Sequence, residues 1–80
     1  MTELTVLVRQ GCHLCDAMLA EMQAVVLPGL ELTIAIVDID RDEKLRARYN
    51  EQVPLLLLGE QEVCRYFFDA DALRWYIESQ

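Results

Sequence analysis

The run Leu4-Thr5-Val6-Leu7-Val8-Arg9-Gln10-Gly11-Cys12-His13-Leu14-Cys15 decides the fold. Its first five residues are apolar or β-branched without a break, the pattern of a strand covered on both faces. Beyond Gly11 the periodicity changes. From His13 to Leu27 apolar residues recur at helical spacing, and at about 100° per residue Cys15, Met18, Leu19, Met22 and Val26 share one stripe. Pro28-Gly29 supplies the stop. A strand therefore passes through a glycine turn into an amphipathic helix, with two cysteines on the junction.

The rest of the chain extends this unit. Leu32 to Ile39 reads as a second strand, with Leu32, Ile34 and Ile36 on one side and Thr33, Ala35 and Val37 on the other. Asp40-x-x-Glu43 resembles a capping box for a short helix carrying Leu45 and Tyr49, with Asn50 near its end. Leu55 to Leu58 and Gln61 to Tyr66 are two further strands. The Gly59-Glu60 pair between them signals a type II′ hairpin, because Gly accepts positive φ at the first central position. Asp69 is a good N-cap for a last helix, with Asp71 in its first turn and Leu73, Tyr76 and Ile77 on one face. Phe67, Phe68, Trp75 and Tyr76 are expected in core and helix packing. The order βαβαββα predicts an α/β fold: a four-stranded mixed sheet, partly parallel through a right-handed crossover, with three flanking helices.

Eighty residues make one domain, 1–80, since two cores would each be too small. A 54% hydrophobic composition supplies the interior such a short chain needs. Three cysteines cannot pair completely, which argues against a disulfide-scaffolded secreted mini-protein. Fourteen acids against seven bases, a net charge of −7, disfavour nucleic acid and anionic membrane as partners. No stretch reaches the roughly 18 apolar residues of a membrane span, and the start has neither the base nor the apolar length of a signal segment. A cytoplasmic monomer is expected, in a compartment where thiols are kept reduced.

There, Cys12-His13-Leu14-Cys15 points to redox or metal chemistry. Cys12 falls at the helix start, near unpaired backbone N–H groups and the positive end of the dipole, both of which favour a thiolate. Cys15 falls on the buried stripe. Cys12 is thus the candidate nucleophile and Cys15 the resolving thiol. Arg9 and a protonated His13 would add positive charge; a solvent-facing first-turn histidine and a strand-end surface arginine are the plainer alternatives. Cys64 fits a small buried residue of the fourth strand. Arg41, Lys44, Arg46 and Arg48 form a basic cluster on the second helix, either a solvated face or a surface for an acidic partner.

The chain resembles the thioredoxin superfamily, and within it the glutaredoxin-like small redoxins, over its whole length. The resemblance rests on Arg9-Gln10-Gly11-Cys12-His13-Leu14-Cys15-Asp16 after the first strand, on Val53-Pro54 before the third, and on the element order. It implies a cis Val53-Pro54 bond beside the cysteines, with Val53 offering its backbone to a substrate peptide or glutathione. Gln52 stands where glutaredoxins carry Thr or Ser, and Asp69 keeps the acid that in them holds the γ-glutamyl group. His13-Leu14 replaces their Pro-Tyr. Tyr66-Phe67-Phe68 replaces their glycine pair and puts bulky rings where backbone would approach glutathione.

The expected activity is thiol–disulfide exchange with a protein or small-molecule disulfide. No bound cofactor and no metal are expected, and glutathione or a thioredoxin-type reductase would supply electrons. Two alternatives use the same residues: a non-catalytic thioredoxin-fold binding module, and an iron–sulfur or zinc carrier built on the two cysteines.

Overall fold

The computed structural model describes residues 2–25 and 32–79. The elements run β1 (Thr2–Val8), α1 (His13–Val25), β2 (Leu32–Asp38), a 3-10 turn (Ile39–Arg41), α2 (Glu43–Tyr49), β3 (Leu55–Leu58), β4 (Gln61–Arg65) and α3 (Ala70–Glu78). Val26, Leu27 and the Pro28-Gly29 stop lie outside the described residues. The four strands form one sheet in the order β2-β1-β3-β4. β1 pairs parallel with β2, Val6 opposite Ile36, and antiparallel with β3, Leu7 opposite Leu55. β3 and β4 form the expected antiparallel hairpin. Gly59 has φ +61, while Glu60 has no positive φ, the φ pattern of a type II′ turn.

Strand alternation divides the apolar residues into two layers. Leu4 and Val6 of β1 and Leu56 and Leu58 of β3 meet Met18 and Met22 of α1 and Leu73 of α3. Leu7 and Leu55 point to the other face, where they meet Ile39 with Leu45 and Tyr49 of α2 packed around them. Helices α1 and α3 therefore cover one face and α2 the other, as a strand apolar on both sides requires.

Three local expectations are corrected. Ile39 leaves β2 and sits fully buried in the 3-10 turn. The second helix is capped by Asp42 rather than Asp40: Oδ1 of Asp42 accepts from the Lys44 and Leu45 amides. Asp38 caps the 3-10 turn, accepting from the Asp40 amide. Finally, Phe67 and Trp75 are exposed and contribute nothing to the core, whereas Phe68 and Tyr76 pack against it. Ile36 is also exposed because β2 is an edge strand.

Candidate active site

The site is made by what β1 delivers at its C-terminal end. Gly11 turns the chain with φ +73, a conformation that favours glycine. Cys12 then occupies the cap position of α1. Its carbonyl accepts the first helical bond, from the Asp16 amide at 3.1 Å. Its sulfur accepts from the Cys15 amide, also at 3.1 Å. A sulfur here does the work of a capping oxygen. Cys12 and Cys15 are joined as a disulfide, with Cα atoms 5.2 Å apart. The two cysteines differ in access: Cys15 is 1% exposed, Cys12 half-buried, and His13 and Leu14 open to solvent.

The other candidate residues gather at this end of the sheet by strand register. With Leu7 opposite Leu55 and Leu55 opposite Arg65, the next row is Val8, Pro54 and Tyr66. The Tyr66 amide donates to the Pro54 carbonyl at 2.7 Å, closing that row. The Val53-Pro54 bond is cis. Val53 is half-buried against the layer of Leu7, Ile39 and Leu55, and the Gln52 amide donates to the Tyr49 carbonyl. Asp69 caps α3 by accepting from the Ala72 amide at 3.0 Å. Because β4 runs in the direction of β1, α3 starts at the same end of the sheet as α1.

Arg9 is engaged elsewhere. Its Nε and Nη2 meet the Asp40 carboxylate at 3.2 and 3.0 Å, and Nη1 donates to the Asn50 carbonyl and Oδ1 at 2.8 and 2.9 Å. The guanidinium ties the 3-10 turn and the end of α2 to the end of β1. Its recipients carried no signal in the sequence, since neither Asp40 nor Asn50 lies within 30 residues of it.

The sequence profile of the Glutaredoxin-like domain (DUF836) family matches residues 3–78. The chain belongs to this family. Protein Ne2328 of Nitrosomonas europaea, 35% identical, superposes with a TM-score of 0.78 over 94% of this chain and 89% of its own. XcR50 of X. campestris is 33% identical, with a TM-score of 0.70 over 96% and 97% of the two chains. Thioredoxin 1 of Thermosipho africanus, at 20% identity and a TM-score of 0.63 over 96% of each chain, shows the shared fold alone. No curated protein matches the chain.

The third cysteine of this glutaredoxin-like domain stands apart chemically. Burial pushes the Cys64 thiol up; the Asp69 backbone N–H pulls it back in part, and the Asp69 and Glu62 charges push it further up. Such a thiol is a poor nucleophile at neutral pH. Among the described residues no three His, Cys, Asp or Glu side chains are gathered as a metal ion would need. No helix among them is long and apolar enough to cross a membrane.

Proposed function

We propose that this glutaredoxin-like domain is a thiol–disulfide oxidoreductase. The observation that carries the proposal is the Cys12–Cys15 disulfide on a helix start, with one cysteine accessible and amide-capped and its partner buried. In the dithiol form, the Cys12 thiolate attacks one sulfur of a substrate disulfide. That bond breaks, the departing sulfur takes up a proton, and a mixed disulfide forms on Cys12. Cys15 then loses its proton and attacks Sγ of Cys12, releasing the second substrate sulfur, which is protonated in turn. Two electrons pass to the substrate, and the chain is left as the disulfide seen here.

Val53 offers backbone beside the reacting sulfurs, with Gln52 and Asp69 at the margins of the substrate site. Glutathione or a thioredoxin-type reductase returns the two electrons. The protein needs no bound cofactor and acts as a monomer in the reducing cytoplasm. Cys12→Ser is expected to abolish disulfide reduction, and Cys15→Ala to accumulate the mixed disulfide as a mass adduct on Cys12. Retained exchange in Cys12→Ser refutes the proposal. Inactivity of the wild-type dithiol toward every disulfide would leave a thioredoxin-fold binding module.

A further inference from the structure

Thiol exchange itself makes no use of the turn that follows β4. There the chain passes through Tyr66 with φ +67, a region that bulky L-residues avoid. The Phe67 amide donates to the Arg65 carbonyl at 2.7 Å, closing a three-residue γ-turn of the rare positive-φ hand around Tyr66. Two bonds hold it there. The Tyr66 amide donates to the Pro54 carbonyl, and the Tyr66 hydroxyl donates to the Glu51 carbonyl at 3.1 Å. The turn is thus fastened at both ends of the segment that carries Val53-Pro54. One consequence is the placement of Phe67, which is 70% exposed although Tyr66 and Phe68 on either side are half-buried.

Strand register puts this turn at the sheet end that also carries Cys12, where Leu14 is a second exposed apolar side chain. At this end the starts of α1 and α3 are acidic. Asp16 in the first turn of α1, Asp69 at the cap of α3 and Asp71 in its first turn are all exposed. Of the nearby bases, Arg9 is paired with Asp40 and Arg65 with Glu62, while Arg48, on the α2 side of the Tyr66 turn, lies over the Tyr49 ring. His13 is exposed beside Cys12.

We propose that Tyr66 and Phe67 determine specificity in the thiol exchange, and that the substrate disulfide lies in a protein segment bearing apolar and basic side chains. This rests on the oxidoreductase function proposed above. Phe67 and Leu14 supply apolar contact at the sheet end that carries the reacting sulfur, Tyr66 fixes where Phe67 projects, and the three carboxylates draw Lys or Arg flanking the substrate cysteine. A small anionic disulfide such as oxidised glutathione reaches no such contact and meets like charge.

The test uses the pre-reduced full chain in single-turnover reactions with four disulfides: cystine peptides flanked by Leu and Lys, by Leu and Glu, or by Ser and Lys, and oxidised glutathione. The Leu/Lys peptide is expected to react roughly tenfold faster than the Leu/Glu peptide at low salt, with the ratio collapsing at high salt. Phe67→Ser, at an exposed position that does not threaten folding, is expected to slow the Leu/Lys peptide by about three- to tenfold more than the Ser/Lys peptide. Tyr66→Phe, which removes the hydroxyl with its bond to the Glu51 carbonyl and its contact with Arg65, is expected to slow the same peptide selectively by a smaller factor. Equal rates for the charge variants, an equal effect of Phe67→Ser on both Lys peptides, or a preference for oxidised glutathione overturns this specificity while leaving thiol exchange intact. No reaction with any of the four overturns the oxidoreductase function as well.

Discussion

Arg9→Gln separates two roles that the sequence alone left open for this arginine. If Arg9 acts on the cysteines, its loss raises the Cys12 thiol pKa and leaves stability nearly unchanged. The observed contacts give the opposite expectation. The Asp40 pair has side chains about one-third exposed, 34% and 36%, so solvent screening reduces it to a few tenths of a kcal/mol. The two bonds from Nη1 to the Asn50 carbonyl and side chain, at 2.8 and 2.9 Å, are charge-assisted and contribute about 0.5–1 kcal/mol each. The sum is about 1–2 kcal/mol, which for a domain of this size lowers Tm by about 5–15 °C. Thermal unfolding of the oxidised protein reads the first quantity. Thiolate absorbance against pH in the reduced protein, on a Cys64→Ala background, reads the second. A Tm within about 2 °C of wild type, together with an upward-shifted Cys12 titration, refutes the structural role and returns Arg9 to the thiol.

Two further outcomes follow from the cited shifts. The Arg65 guanidinium, hydrogen-bonded to Glu62 at 2.6 and 2.7 Å, holds the Glu62 carboxyl below its usual value. A depressed folded pKa contributes stability that is present above the unfolded value near 4.5 and lost as pH falls through the folded value. Glu62→Gln should therefore flatten the acid limb of a stability-against-pH curve; the exposed pair makes the change small, and an unaltered limb refutes it. Burial of Cys64 predicts the order of alkylation in reduced protein at neutral pH: Cys12 first, with Cys64 modified at a comparable rate only after unfolding. Peptide mass mapping reads this order, and early modification of Cys64 contradicts it.

The parts of the fold that were legible in the sequence are those where local chemistry and global packing demand the same thing. The β1-to-α1 junction is one, because the cysteine spacing, Gly11 and the buried stripe agree. The Asp69 cap and the Gly59 turn are others. Where the chain offered equivalent choices, sequence could not arbitrate. Asp38, Asp40 and Asp42 are all able to cap a helix. The choice among them follows from burying Ile39 between Leu7 and Leu55, which pulls the chain out of β2 one residue early. The exposure of Ile36 depends on β2 being the sheet edge, a property of strand order that residue alternation does not encode. At the site, both cysteines were legible from spacing. The Tyr66 turn was not, since an aromatic residue at positive φ runs against every local preference and is held only by partners 12 and 15 residues away.

The capping role of Cys12 bears on how the chemistry can be dissected. Serine is among the preferred N-cap residues, and its oxygen can accept the Cys15 amide that the sulfur accepts now. Cys12→Ser therefore removes the nucleophile while preserving the start of α1, so loss of exchange in that variant reports on sulfur chemistry and not on a frayed helix. Position 15 behaves differently. Its side chain is 1% exposed on the same stripe as Met18 and Met22, and a serine hydroxyl there would be taken from water into an apolar layer. Alanine adds no polar atom and is a good helix former, which makes Cys15→Ala the cleaner trap for a mixed disulfide. If Cys15→Ala traps no adduct while Cys12→Ser is inactive and folded, the resolving step does not come from Cys15, and an external thiol must complete the exchange.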